Sequence, residues 1–353
     1  MSEIFEGIPA GNDVLTENGY LPVEDLKEND KIICAAGWGN TAISKIRKIK
    51  KQKYSGNCVK INIDSKKHIT LPQKHICFSK FDTSVNTYYI VMIYRQEKGW
   101  RIGLETDIRG LNKHNLNYDD KYWILDISCD EGEAVFFQHL YSYRFGIPMV
   151  DFEVKNDKFN FSQDSIDKVF EIIETEERSL KVFEELNMFR DYPYYIAPNK
   201  KFGTKLLTLI MFGDKDKKEE EEWHSHRIYV NVDHNKISYG KTSIMDPGNR
   251  SAWNINTVRS DYDELINFAN VLASFEELEI IKRSQLTPAT PFFYFPASHI
   301  KKTMVLPLFN KKEKKITEKQ VEKVATRDFD GDVFSLEIEN LRNCIVNDVV
   351  LYC

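Results

Sequence analysis

A chain of 353 residues, 42% hydrophobic and 29% charged, holds enough apolar material for more than one packed core and has an ordinary globular composition. It has no run of about 18 apolar residues, so no membrane-spanning helix is expected, and the opening MSEIFEGIPAG lacks the basic and apolar regions of a signal peptide. The net charge of −5 argues mildly against a nucleic-acid partner, and six cysteines without a CxxC pair read as reduced, mostly buried thiols of a cytoplasmic protein.

In chain order, Gly11 to Ile32 predicts short strands around a hairpin turn at Asn18-Gly19, with a second turn at Glu28-Asn29-Asp30. Alternating runs at 32–34, 42–49, 58–63 and 68–71 follow, broken by Gly37, Gly39, Ser55-Gly56 and Asp64-Ser65. Regularly spaced short strands predict an all-β domain.

From Tyr88 the period changes. Tyr88–Tyr94 and Tyr122–Ile127 read as strands, and Ala134, Phe137, Leu140 and Tyr141 predict a helix over 131–145, stopped by Gly146. A second helix is predicted over 162–187, capped by Ser162 or Asp164, with Ile166, Val169, Phe170, Leu180 and Phe183 on one face. Leu206–Phe212 is apolar, Ile228–Val232 is a strand, and Asp261–Phe275 is an amphipathic helix. Prolines 288, 291, 296 and 307 punctuate the return to two final strand-like runs, bent at Glu339–Asn343 and turned tightly at Asn347-Asp348.

The two ends carry the most specific motifs. IPAGNDVLTENG (8–19) with EDLKEND (24–30), and GDVFSLEIE (331–339) with RNCIVNDVVLYC (342–353), resemble the opening and closing blocks of the intein splicing domain, the Hint fold shared with hedgehog autoprocessing domains. LPQKHICF (71–78) is similar to the family's Thr-Pro-x-His-x-x-Phe block, with one extra residue before His75. YYIVMIYRQEKGWRIG, DDKYWILDISCDEGEAVFFQHLYSYRFGIP and PFFYFPASHIKKTMVLP look like segments of inteins found within UvrD/Rep-type helicases. Tyr88 to Pro148 also resembles GIY-YIG nucleases, and Lys205–Asp214 is similar to a LAGLIDADG helix.

These resemblances imply an all-β Hint horseshoe interrupted by an α/β insertion. Residues 1–84 and 288–353 would form the Hint domain, 85–155 a GIY-YIG-like insertion, and 156–287 a helical and mixed, homing-endonuclease-like part. Met1 stands six residues before the splice-like start and the chain stops at the splice-like end, so a free-standing protein is expected.

Splicing, as the resemblance implies it, needs a Cys or Ser at the first position, a Thr and a His in the second block, and a terminal His-Asn whose carboxamide cyclises. Here Gly7 stands at the nucleophile position, Leu71 at the Thr, Arg342 at the His before Asn343, and Tyr352-Cys353 at the terminal His-Asn. Only His75 remains, so splicing is not expected.

A GIY-YIG site would use Tyr88 or Tyr89, Arg101, Arg109 and a helix carboxylate holding Mg2+. The helix position matching that carboxylate is Gln138, and Glu133 lies five residues earlier. His224 and His226 alternate as metal ligands can, but no third ligand sits at suitable spacing. The basic runs near Lys48, Lys50, Lys51 and Lys312 would meet the phosphates of double-stranded DNA. The expectation is therefore a monomeric, DNA-binding, homing-endonuclease-like protein that does not splice. The alternatives are a catalytically empty scaffold acting by protein or DNA contact, or an intein whose splicing residues have been replaced.

Overall fold

The first part of the chain is a succession of strands: β1 (Ile8–Pro9), β2 (Asp13–Thr16), β3 (Gly19–Pro22), β4 (Lys31–Gly37), β5 (Asn40–Asn62), whose residues 42–47 alternate between buried and exposed, β6 (His68–Pro72) and β7 (Ile76–Phe81). The structure is a computed structural model describing residues 7–65, 67–82, 86–106, 120–154, 162–196, 206–215, 222–233, 244–245, 252–276 and 278–353. These fall into two units, residues 1–82 with 203–353, and residues 83–202.

The first hairpin forms, but one residue earlier than the sequence suggests. Thr16 pairs with Gly19, leaving Glu17 and Asn18 as the turn. The Thr16 hydroxyl decides it, accepting from the Asn18 amide at 3.2 Å and donating to the Gly19 carbonyl at 2.7 Å.

Residues 83–202 hold β8 (Tyr88–Arg95), β9 (Gly99–Glu105), β10 (Lys121–Ser128), α1 (Glu131–Phe145), α2 (Gln163–Ile172), α3 (Thr175–Glu185) and β11 (Tyr195–Ile196). The strands form an antiparallel sheet ordered β11-β10-β8-β9. Trp100 and Trp123 pack edge-on against Phe183 of α3 to make its core. The single helix expected over 162–187 is broken into α2 and α3. Ser162 caps α2 as expected, but Thr175 turns its hydroxyl to the Trp100 amide at 3.0 Å and Glu176 takes the Trp100 indole N–H at 2.6 Å. A tertiary anchor at the Trp100 edge therefore sets where the second helix begins.

The chain then continues through β12 (Leu206–Met211), β13 (His226–Asp233), β14 (Ile244–Met245), β15 (Ala252–Arg259), α4 (Tyr262–Glu276), β16 (Glu279–Ser284), β17 (Phe292–Pro296), β18 (Met304–Asn310), β19 (Lys315–Gln320), β20 (Lys323–Ile338), β21 (Asn343–Val346) and β22 (Val349–Tyr352). Leu207, Leu209 and Met211 are fully buried while their neighbours are half-exposed, so the stretch similar to a LAGLIDADG helix is a strand. β12 pairs antiparallel with β13 and parallel with β16, the parallel partner being reached through α4. Asp261 opens α4, its carboxylate accepting from the Asp263 and Glu264 amides, and Leu265, Ala269 and Leu272 are its buried face.

β16 runs on to pair with β17, and β17 pairs with β7. That continuity joins residues 203–287 to the unit holding both chain ends, whereas the sequence motifs put 156–287 in the insertion.

The two ends of the chain are woven together. Ile8 and Pro9 pair with Phe334 and Val333, and Val14 pairs with Val346. β5 and β20 run antiparallel as a long ribbon from Ile46↔Ile338 to Asn62↔Lys323. The protein is mostly β-sheet, and among the described residues no helix is long and apolar enough to cross a membrane.

The cysteines depart from expectation. Cys344 and Cys353 form a disulfide, with Cα atoms 6.4 Å apart, while Cys34, Cys58, Cys77 and Cys129 are free. Sequence spacing gives no hint of this, but hairpin register does. Cys344 faces Leu351, so Cys353, two residues on, is its diagonal neighbour on the same face.

Candidate functional site

The positions matching the splicing motifs converge on two places in the β-rich unit. At the first, Gly7 is buried beside Val333, and a Cβ on it would lie 3.0 Å from Val333 Cγ2 and 3.1 Å from its Cβ. His75 follows the turn that closes on its own amide (to the Pro72 carbonyl, 3.0 Å), and its carbonyl accepts from Ala297 at 2.8 Å. Burial pushes its imidazole down to about 4, so the ring is neutral near pH 7. Among the described residues neither ring nitrogen completes a hydrogen bond of good geometry, although the Gly7 backbone lies close enough to pull the other way.

Leu71 is wholly buried and pairs with Val59, so it supplies packing where the motif supplies a hydroxyl. The neighbouring Thr70 is buried too, and its hydroxyl has no hydrogen-bond partner among the described residues. Nothing in the motif points to Thr70, because the threonine position of the block falls on Leu71.

At the second place, Leu351 pairs with Cys77, so the last strand runs beside the one that His75 leads into. Tyr352 packs edge-on against Phe78 and Tyr294, with ring centroids 6.2 and 5.4 Å away. Behind it the Tyr294 and Tyr262 hydroxyls meet at 3.0 Å, and burial raises both phenols well above their ordinary range. The Arg342 guanidinium grips Asp263 in two-pronged fashion, Nε to Oδ1 at 3.1 Å and Nη2 to Oδ2 at 2.7 Å. That hydrogen bond holds Arg342 even more firmly protonated. Cys353 donates its amide to the Arg342 carbonyl at 3.2 Å and spends its sulfur on Cys344. No signal in the sequence names Asp263 as the partner of Arg342.

In residues 83–202 the nuclease candidates are divided. Tyr89 lies on the same sheet face as Ile93, the residue opposite Arg101, while Tyr88 lies on the other face, opposite Ser128. The Tyr89 hydroxyl is tied to Thr87 at 2.6 Å, and Arg101 is paired with Asp151 at 2.8 Å and set against the Phe152 ring. Glu133 serves the start of α1. Its amide donates to Asp130 at 2.7 Å, and its carboxylate meets the Ser128 hydroxyl. Gln138 is half-buried on α1, and Arg109 lies outside the described residues. A divalent cation wants several carboxylate oxygens. Here the candidate carboxylate is single and already accepts from the Ser128 hydroxyl, so these residues do not fit Mg2+.

Each histidine of the pair commits one ring nitrogen to a hydrogen bond. His226 Nδ1 accepts from the Phe212 amide at 3.0 Å, and His224 Nε2 meets Asn40 at 3.1 Å.

The lysines expected to meet DNA lie on the exposed middle of β5 and on the β18–β19 turn. The strand opposite β5 is acidic. Lys48 faces Glu337, Lys50 faces Ser335, and Lys51 and Lys53 both reach Asp332 at 2.9 Å. Asp328 and Asp330 continue the series, so β20 offsets part of the charge of the run while the ribbon stays basic. Lys312 borders an open groove of about 370 Å³ with Lys67, Lys311 and Lys319, and the first two of those three hold Asp348.

No protein-family model matches the chain, and no curated protein does. Among solved structures, the chain is similar to a bacterial intein-like domain from Clostridium thermocellum, at 15% identity over 34% of this chain and 78% of that one, with a TM-score of 0.18.

Proposed function

We propose that this is an intein-derived protein of Hint type that does not excise itself and acts by binding double-stranded DNA, without cleaving it. The packing at Gly7 carries the first half. Gly7 has no side chain to attack with, and a Cβ added there would crowd the fully buried Val333 side chain at 3.0 Å. The other end supports the same reading. Arg342 is held by Asp263, Tyr352 by aromatic rings and Cys353 by Cys344, and Cys353, at the position matching the cyclising Asn, has no carboxamide. A scaffold role is favoured over nuclease activity by the engagement of the Glu133 carboxylate with Ser128 and of Arg101 with Asp151.

The test joins a reporter segment to each end and follows intact mass alongside duplex binding. Unchanged mass, duplex binding that weakens steeply with salt, and no plasmid nicking with magnesium or manganese are the expected results. Excision of the chain would overturn the splicing reading. Absence of binding at low salt would overturn the DNA reading, and metal-dependent nicking would replace the scaffold with a nuclease.

A further inference from the structure

Helix α1 is apolar on two opposite faces. Ala134 and Phe145 are buried, with Phe137 and Tyr141 half-buried beside them, as a helix on a sheet requires. The other face holds Phe136 (60% exposed), Leu140 (40%), Tyr143 (74%) and Val135 (37%) in the open. A surface helix ordinarily turns charged residues outward. Here Val135, Phe136, His139, Leu140 and Tyr143 form one stripe at spacings of three and four, without a charge along it. An uninterrupted aromatic stripe of this kind marks an interaction surface.

We propose that the occupant is a second copy of this chain, the two α1 helices packing antiparallel about a two-fold axis that passes between His139 and Leu140. The flanking charges fit that arrangement. Glu133 and Arg144 lie on the same flank of the stripe, about three turns apart. The axis would bring Glu133 of one copy to within roughly 3 Å, along the helix direction, of Arg144 in the other, and the reverse contact follows by symmetry. Phe136 and Tyr143 would oppose each other across the axis. A parallel pair would carry the two charged flanks to opposite sides of the interface and leave Glu133 and Arg144 without this contact. Nucleic acid suits this face poorly, because Glu131 and Glu133 occupy the first turn beside the Asp130 cap. Arg144 meets Glu185 on its own chain, a contact between exposed groups that exchanges easily.

The full chain is measured by light scattering and sedimentation up to about 100 µM. A dimer is expected, reduced to monomer by Phe136→Glu or Tyr143→Glu with the circular dichroism unchanged. Arg144→Glu should weaken the dimer at least tenfold, and adding Glu133→Arg should restore it. A monomeric wild type throughout that range overturns the proposal. So does a dimer that survives Phe136→Glu and Tyr143→Glu together. Failure of the charge swap to restore pairing would rule out the antiparallel arrangement.

Discussion

The amide of Asp13 donates to the side-chain carbonyl of Asn347 at 2.9 Å, across 334 residues of sequence. The same side chain donates to Asn12 Oδ1 at 2.8 Å, and the Asn347 amide returns to the Asp13 carbonyl at 2.9 Å. Asn347 and Asp348 hold φ at 49° and 71°, the left-handed region that Asn and Asp tolerate better than other non-glycine residues. Turn chemistry and end-to-end closure thus fall on one residue. Asn347→Ala should lose the side-chain bonds and strain the turn, costing roughly 1–3 kcal/mol. Asn347→Gly should cost less, since it keeps the turn. Urea unfolding of the two variants checks this, and equal losses would mean that the backbone conformation contributes nothing.

Lys80 is a buried cation on β7. Its ammonium lies 2.7 Å from Glu318 and 4.8 Å from the Phe292 ring centre, and the Thr287 hydroxyl also bonds Glu318. Removing the lysine leaves the partly exposed Glu318 carboxylate without its cation, so Lys80→Met should cost roughly 1.5–3 kcal/mol. Lys80→Met with Glu318→Leu should recover much of it, because an apolar pair avoids desolvating two ions. A double variant no better than the single would show that the ion pair is not what fails.

Acid should destabilise the β-rich unit in overlapping steps. Burial pushes His75 down to about 4 and His226 to about 3. Below about 6.5 the unfolded chain takes up protons that these folded side chains refuse. Stability therefore falls from pH 6.5 downward, until the folded imidazoles themselves titrate. Asp348 adds to this. Burial raises its carboxyl, but Lys67, Tyr20 and Lys311 outweigh that and hold it below the ordinary carboxylate range. Its contribution is present above that range and is lost as pH falls through it. The urea midpoint should drop steadily between pH 6.5 and 4, and His226→Gln should flatten that slope. A midpoint unchanged down to pH 5 would contradict the burial of both rings.

What the sequence makes legible is local. The Asn347-Asp348 turn, the Ser162 cap, the Asp261–Phe275 helix and the hairpin of β2 and β3 follow from neighbouring residues alone. What it hides depends on distant partners. Asp263 reaches Arg342 from another element, Val333 closes over Gly7 from the opposite strand, and Trp100 recruits Thr175 to break a helix that periodicity alone would continue. The Cys344–Cys353 pair needed strand register, since spacing along the chain says nothing about which face a side chain takes.

The same blindness shaped the basic run. By itself, Arg47 to Lys53 is a phosphate-binding stripe, but β20 lays Asp332 between Lys51 and Lys53. Those two ammonium groups hold the Asp332 carboxyl below its ordinary range and are themselves partly neutralised. Lys48 and Lys50 carry no such shared carboxylate, so Lys48→Glu with Lys50→Glu should weaken duplex binding most. For every phosphate that the variant no longer neutralises, the slope of log affinity against log salt should become shallower by about 0.9. Lys51→Ala should do less, whereas Asp332→Asn should tighten binding by releasing Lys51 and Lys53. Fluorescence anisotropy with a labelled duplex at several salt concentrations measures all three. An Asp332→Asn variant that binds no better than wild type, or a Lys48/Lys50 variant with an unchanged slope, would remove this ribbon from the DNA interface.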